Sequence, residues 1–465
     1  MADALRPDTE TQTETQTPTQ TQLDPAVHLA AWGGWGPDVR DDPHPLLARL
    51  VAEAPVHAVT LADGHPAHLV VGHAAARQAL NDPRISKDMQ AALADDPGVV
   101  AEGLPGPAFS RHMLNVDPPD HTRLRRLVAP AFGAARVAAL EAPIQAIADG
   151  LLDDLARDSP GPDAVVDLVG GYARPLPFQV IGELLGVPSA DRADLHRWFA
   201  TLLSPWFGDP PPEVVDASDR IVAYLDDLVA AKRYHPGDDP GHDLVSELVA
   251  ASVGGDRLTH QELLSTLFQL VVAGHDTTTS LIGNAVVALL DHPDQLALVV
   301  DDPGALPGAI EELLRFAAPV PHATFRYATE DLELDGVPVP AGRQVLVCLA
   351  AAGRDPDHVD RPDQLDVTRN ALESRHLAFG HGIHFCPGAG LARLEARVAL
   401  GSLLARHPRL RPAGDRSALR WAHGDGLVLR GLTDLPVILG PRACPADHGA
   451  RIDGQMTPLA APCRQ

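Results

Sequence analysis

Phe379-Gly380-His381-Gly382-Ile383-His384-Phe385-Cys386-Pro387-Gly388-Ala389-Gly390-Leu391-Ala392-Arg393 is a Gly-rich bend that runs into a helical pattern. Gly380 and Gly382 allow a tight loop ahead of Cys386, because glycine enters the left-handed backbone region without steric cost. Pro387 suits the first turn of a helix, where its missing N–H is no loss. The thiol therefore stands at a helix N-terminus. There the macrodipole and free N–H groups such as that of Gly388 favour the thiolate, the form a soft metal ligand or nucleophile requires.

Three fates compete for this cysteine. A buried structural thiol is the common one for an isolated Cys. A zinc site from His381, His384 and Cys386 matches no two-pair zinc spacing and lacks a clear fourth ligand. A haem thiolate asks for a single Cys in a Gly-rich bend, apolar shielding of the sulfur, and cationic groups elsewhere for the propionates.

Upstream, Thr259 followed by Glu262 fits a capping box, and apolar residues keep helical spacing over 263–290 until His292-Pro293 stops them. About 30 residues at ~1.5 Å rise make a helix of roughly 45 Å, enough to cross a domain. Its middle reads Ala273-Gly274-His275-Asp276-Thr277-Thr278-Thr279, a run of poor helix formers where propensity favours Ala or Leu. Such a violation marks a functional site or a kink that fits its neighbours. The Thr277 hydroxyl can bond the Ala273 carbonyl, loosening the ladder and opening a notch for a small ligand or water.

The rest of the chain bounds the answer. Of 465 residues 45% are hydrophobic and 21% charged, ordinary globular usage with enough apolar surface for a sizeable core. Net charge is −25, which argues against nucleic acid or an anionic membrane as partner of the whole surface. No run reaches the roughly 18 apolar residues of a membrane span, and four cysteines without CxxC spacing suit a reducing compartment, so a soluble, cytoplasmic protein is expected. Residues 1–22, rich in Thr and Gln, and 441–465, which lose periodicity, read as loose tails around one catalytic domain spanning 23–440. The pattern is mainly α with small β-sheets. Helices are expected at 134–155, 190–203, 214–231 and 391–406, and strand pairs at 56–61 with 68–71, 332–337 with 345–349, and 426–432 with 437–439.

The loop resembles the haem-binding signature FGxGxHxCxGxxLAR of the cytochrome P450 monooxygenases, with every fixed position matched. Three further matches follow in the family's order: AGHDTT in the long helix, Glu312-Leu313-Leu314-Arg315 as the ExxR pair, and Asp117 to Arg125 as the HxxxR helix. Together they cover roughly residues 24–440, and soluble bacterial members that tailor secondary metabolites look most alike. The resemblance implies the triangular, helix-rich P450 fold around a long central helix, haem b on Cys386, and monooxygenase chemistry using O2.

It also implies roles residue by residue. His121 and Arg125, which share a helix face, would hold the propionates together with Arg326 and His384. Phe379, Gly380, Gly388, Ala273 and Gly274 would line the cofactor. Asp276 and Thr277 would be the acid and alcohol that direct protons to dioxygen; an acid in a helix notch must be paired or have a raised pKa. Glu312 and Arg315 would form a structural pair with a third arginine, to be chosen among Arg354, Arg361 and Arg369, because Gln364 and Leu365 stand where the family often has Arg and Phe. The substrate pocket is expected from 85–110, 199–207, 270–274 and 320–324, with Leu270 and Val320 apolar and His322 a hydrogen-bond donor. Electrons would come from ferredoxin and ferredoxin reductase, with Arg123, Arg126 and Arg393 as a basic docking patch. Hydroxylation or epoxidation of a largely hydrophobic small molecule leads; desaturation, oxidative coupling and a catalytically silent module are the alternatives.

Overall fold

A computed structural model describes residues 41–61, 65–88, 111–204, 210–234, 243–251, 258–370, 375–421 and 428–442. Both expected tails, apart from the last residues before 443, lie outside these. So do 89–110 and 205–209, where much of the expected substrate pocket falls.

Helices dominate. In chain order they are α1 (His44–Glu53), α2 (His73–Asn81), α3 (Asp120–Val128), α4 (Ala134–Ala139), α5 (Glu141–Asp158), α6 (Pro175–Leu185), α7 (Arg192–Leu202), α8 (Pro212–Tyr234), α9 (Leu244–Ala251), α10 (His260–Asp291), α11 (Pro293–Asp301), α12 (Leu306–Phe316), α13 (Leu349–Ala352) and α14 (Ala389–Arg406). The helix expected over 134–155 is two: α4 ends at Ala139, and α5 leaves the preceding helical run at 66° with Pro143 in its first turn, where a missing N–H is tolerated.

α10 is the long helix, and its capping box is formed. Thr259 N–H donates to Glu262 Oε2 at 2.8 Å, and Glu262 N–H donates to Thr259 Oγ1 at 3.2 Å. The helix is buried on both sides of its centre, from Glu262 to Val271 and from Thr278 to Leu289, whereas Ala273 in between is exposed. A helix enclosed at both ends and open at its middle turn is the notch that the run of poor helix formers foretold. α10 packs against α6 on one side and against α14, which begins just after Cys386, on another.

The largest sheet has the order β1-β2-β8-β5-β3, built from β1 (Val56–Thr60), β2 (Pro66–Val70), β3 (Ile85–Ser86), β5 (Arg326–Ala328) and β8 (Gln344–Val347). β1 and β2 pair antiparallel as expected, Val56 opposite Val70. The pairing expected between 332–337 and 345–349 does not occur. Instead β6 (Leu332–Leu334) folds back on β7 (Val337–Val339) through Asp335-Gly336, whose φ values of 47° and 79° are those of a tight hairpin turn. β8 runs parallel to β2 and antiparallel to β5. Nor does 437–439 pair with 426–432: β10 (Pro436–Ile438) lies between β4 (Val165–Asp167) and β9 (Arg411–Pro412), and Leu432 makes only an isolated bridge to Trp421. Residues 426 and 427 are outside the described set.

Candidate active site

The Cys386 loop is closed by its own backbone. Gly380 N–H donates to the Leu377 carbonyl at 2.7 Å, Cys386 N–H to Phe379 at 3.0 Å and Phe385 N–H to Gly382 at 3.1 Å. Gly380 and Gly382 both have positive φ, 71° and 72°. Gly382 is doubly required, since a Cβ there would lie 2.7 Å from the Leu80 carbonyl oxygen. The N–H groups of Gly388 and Ala389 face the sulfur, as the helix start implied. Yet burial pushes the Cys386 thiol up, and those amides with the charges of Arg125 and Arg393 offset this only in part. The amides at the helix start and the two arginines act in the expected direction, towards the thiolate, against the cost of enclosing its charge, and a bound metal cation tips such a sulfur to the ligand form. The zinc alternative fails on geometry, because no group of three His, Cys, Asp or Glu among the described residues is arranged to hold a metal.

Beside the loop, three unrelated elements deliver basic and hydrogen-bonding side chains to one place. α3 carries His121 and Arg125 on one face, β5 begins with Arg326, and the turn Gly382–His384 carries His384. The His121 and His384 rings lie 4.4 Å apart. His384 is held down to about 2 by burial first, then by the charges of Lys87, Arg326, His121 and Arg125. His121 is lowered by burial and Arg125, with Asp117 and the Ile383 backbone opposing. Neither of its ring nitrogens, nor His384 Nε2, reaches a partner in regular hydrogen-bond geometry. Arg326, 4% exposed, donates to the Thr324 carbonyl at 3.0 Å and is brought down to about 10 by burial, with Asp117 the carboxylate that opposes. Arg125 donates to the Phe385 carbonyl at 2.7 Å.

Lys87 belongs to this cluster and was missed in the sequence. It follows β3, which pairs with β5, so the sheet sets it near Arg326; it is 3% exposed and donates to Thr324 Oγ1. No spacing or periodicity in the sequence pointed to it, since only the β3–β5 pairing brings it to Arg326. Asp117 is already engaged by the Ser86 hydroxyl and the Lys87 backbone N–H. Buried donors and positive charge thus exceed the anions supplied, which suits a cofactor bearing carboxylates.

In the α10 notch, Thr277 Oγ1 donates to the Ala273 carbonyl at 2.7 Å, the bond expected of it. Asp276 pairs with His275 Nδ1 at 3.0 Å. Burial raises its pKa, but the His275 hydrogen bond and the charges of His275, Arg174 and His196 outweigh it, so Asp276 is held below the usual range. Of the two alternatives for a notch acid, pairing is the one realised. At Gly274 a Cβ would meet Ile181 at 3.3 Å, so its smallness also lets α6 approach α10.

Glu312 and Arg315 form a buried two-pronged pair, with Arg315 Nε and Nη2 each 2.7 Å from a Glu312 oxygen. Arg369 is the third arginine, its Nε 3.2 Å from Glu312 Oε2. Arg354 instead lies over the Phe316 ring and pairs with Asp363, and Arg361 pairs with Asp360. Two of the three expected docking cations are committed elsewhere: Arg123 is clamped by Glu262 and Asp120, and Arg393 by both oxygens of Glu311 at 2.6 and 2.8 Å. Within the expected pocket, Leu270 is core and His322 is enclosed, its backbone bridging Cys348. Val320 and Thr324 remain partly exposed.

The cytochrome P450 family model matches residues 177–299 and 305–416. The chain belongs to the cytochrome P450 family. Cytochrome P450 107B1 of Saccharopolyspora erythraea is 46% identical over 85% of this chain and 95% of its own length. The vitamin D(3) 25-hydroxylase of Pseudonocardia autotrophica is 45% identical over 86% of this chain and 95% of its own. Among solved structures, the tirandamycin C-bound P450 monooxygenase TamI superposes with a TM-score of 0.76 at 41% identity, covering 87% of this chain and 98% of that one. This P450 is therefore a haem-binding monooxygenase that acts on a small molecule, and the lone cysteine with its surplus of cations fits haem. Among the described residues no single helix is long and apolar enough to cross a membrane.

Proposed function

We propose that this P450 holds haem b on Cys386 and places one oxygen atom from O2 in a C–H or C=C bond of a largely hydrophobic small molecule, in secondary-metabolite biosynthesis. The observation that carries the reading is the conjunction of the Gly-framed Cys386 loop with the cluster of buried His121, Arg326 and Lys87 and half-buried Arg125 and His384. When bound, the haem supplies the redox centre that activates O2. Everything else falls to the chain.

Cys386 would hold the haem iron through its sulfur, with the Gly388 and Ala389 amides steadying charge on it. The cation cluster would hold the two propionates and so fix the ring's orientation. Phe379 and Gly380 frame the sulfur's loop, and Ala273 gives the exposed surface of the notch. Thr277, donating to Ala273, keeps its oxygen lone pairs free to accept a proton donor. Asp276 holds and releases a proton beside it.

Relatives named as a 25-hydroxylase and as a tirandamycin C-bound monooxygenase support insertion of oxygen into an organic molecule. Electrons would come from a separate ferredoxin, its reductase and NAD(P)H. Cys348 and Cys386 as free thiols accord with a reducing cytoplasm. The test is the spectrum of purified protein, reduced and exposed to carbon monoxide. A strongly red-shifted Soret band, lost in Cys386→Ala, is expected; a protein without that band, or a variant that keeps it, overturns the ligand assignment.

A further inference from the structure

Asp276 does not face solvent alone. His275 Nδ1 lies 3.0 Å from its carboxylate, and the other ring nitrogen, Nε2, is buried without a hydrogen-bond partner. Across the α6–α7 corner, the His196 ring meets the His275 ring with centroids 5.4 Å apart at 87°. Phe178 closes the triangle, 4.8 Å from His196 and 5.3 Å from His275, both edge-on. His196 is on α7 and is only half-buried, so it touches solvent where His275, 8% exposed, does not.

We propose that His196 and His275 form the route by which solvent protons reach Asp276, with His196 as the entry group. This rests on the reading of Asp276 as the proton donor of the oxygenation step. Two imidazoles in contact, one wet and one dry, followed by a carboxylate, make a graded path. The rings touch edge to face, and a turn of the half-buried His196 ring would bring one of its nitrogens to His275 Nε2. The step balances. His196 takes a proton from solvent on one ring nitrogen and gives one up from the other. His275 accepts at Nε2 and releases the Nδ1 proton to the ionised Asp276 carboxylate, which passes it on to the reacting oxygen molecule. Restoring the His275 tautomer readies the next transfer, and no net charge accumulates. Phe178 excludes water from the side of the rings and holds their mutual angle.

The charged groups that act on His196 are few. Burial lowers its pKa first, then His275 and Arg174, while Asp276 raises it. Arg174, just before α6, donates to the Thr433 carbonyl at 3.2 Å. The other charges at this corner pair among themselves: Arg197 with Asp194 on α7, Arg192 with Glu183 of α6, and Asp191 with the Tyr224 hydroxyl of α8. So Asp276 is the group through which His196 senses the notch.

Two measurements on the full-length holoenzyme test this. The NMR titration of His196 is expected to move to lower pH in Asp276→Asn, because the raising charge is gone; an unmoved titration overturns the contact. His196→Gln is expected to keep the carbon monoxide band and the substrate-induced spectral shift. Its product formation should fall about 10-fold with a larger solvent isotope effect, as loss of a proton-transfer group does. If His196→Gln turns over normally while Asp276→Asn is defective, protons enter elsewhere and this proposal falls while the role of Asp276 stands. If Asp276→Asn also turns over normally with an unchanged isotope effect, both fall.

Discussion

Glu312 grips Arg315 with both carboxylate oxygens at 2.7 Å, and neither side chain exposes more than 1% of its surface. The pair is fully wired. Arg315 also donates to the carbonyls of Pro362 at 2.7 Å, Gly353 at 3.1 Å and Gln364 at 3.1 Å, and Glu312 accepts the Asp366 N–H at 3.0 Å. It thereby ties α12 to the segment leading into the Cys386 loop. Neutralising one partner leaves a buried unpaired charge, which costs about 3–5 kcal/mol. Glu312→Gln is expected to unfold at markedly lower denaturant and to lose haem on purification. A Glu312→Leu, Arg315→Met double variant should stay destabilised, because it strands the Arg369 guanidinium and the Pro362, Gly353 and Gln364 carbonyls; recovered stability would show that the charges of the pair, not its wiring, are the issue.

Thr277 spends its proton on the Ala273 carbonyl, so its oxygen is preset as an acceptor. Thr277→Ala removes that acceptor without touching the cation cluster or Cys386. Haem and substrate binding should be retained while NAD(P)H consumption is diverted to hydrogen peroxide. The ratio of peroxide to product reads this out, and Thr277→Ser should restore most of the coupling. Full coupling in Thr277→Ala would show that the alcohol is not part of the path.

Lys87 adds a buried ammonium to the cations around His384. A hydrogen bond to a charged group contributes about 1.5–3 kcal/mol. Lys87→Gln should therefore release haem roughly 10–100-fold faster to an acceptor such as apomyoglobin. The Thr324→Val variant, which removes its hydroxyl partner, should have a smaller effect. Unchanged haem transfer in Lys87→Gln would remove Lys87 from the site.

Much of this was legible in the chain, and the exceptions share a cause. The capping box at Thr259 and Glu262, the Thr277 back-bond to Ala273 and the turn at Gly380 and Gly382 are local, so spacing and residue type sufficed. Lys87 was illegible because only the β3–β5 pairing sets it near Arg326, and sheet partners distant in sequence leave no periodic trace. The same holds for β8, whose true neighbours β2 and β5 replaced an expected hairpin although Asp335-Gly336 announced a nearer one. The helix start at Cys386 was visible in the sequence, whereas the enclosure that opposes its ionisation was not. Arg369 could not be told from Arg354 and Arg361, since a third partner is set by tertiary approach alone.

Glu311 couples this core to acid. Burial raises its pKa, but bonds from Arg393 and from His376 Nε2 at 3.1 Å outweigh that and hold it at about 2, against an ordinary 4.5. A carboxylate depressed in the folded state gives stability that is present above its unfolded value and lost as pH falls through the folded one. The loss is expected between about pH 4.5 and 2. Arg393→Gln should raise the Glu311 value, narrow that window and reduce stability at neutral pH. The melting temperature against pH for both proteins checks it, and identical acid limbs would exclude Glu311 as a contributor.

Glu395 acts in the opposite sense. On α14 it is 3% exposed, Oε2 has no hydrogen-bond partner, and burial alone pushes it up to about 8 from 4.5. The folded protein therefore keeps this proton where the unfolded chain has released it. Below the unfolded value both states are protonated and nothing is lost. As pH climbs from about 4.5 to 8 the unfolded state is favoured by up to about 1.4 kcal/mol per pH unit, and the loss levels off above the folded value. Glu395→Gln keeps the shape and removes the ionisation, so its stability should be flatter across that interval and its advantage over the parent should grow with pH. Urea unfolding of both proteins at pH 5 and pH 8 measures the difference. A gap that does not widen would mean that Glu395 ionises in the fold at no cost, with a partner that its burial on α14 does not reveal.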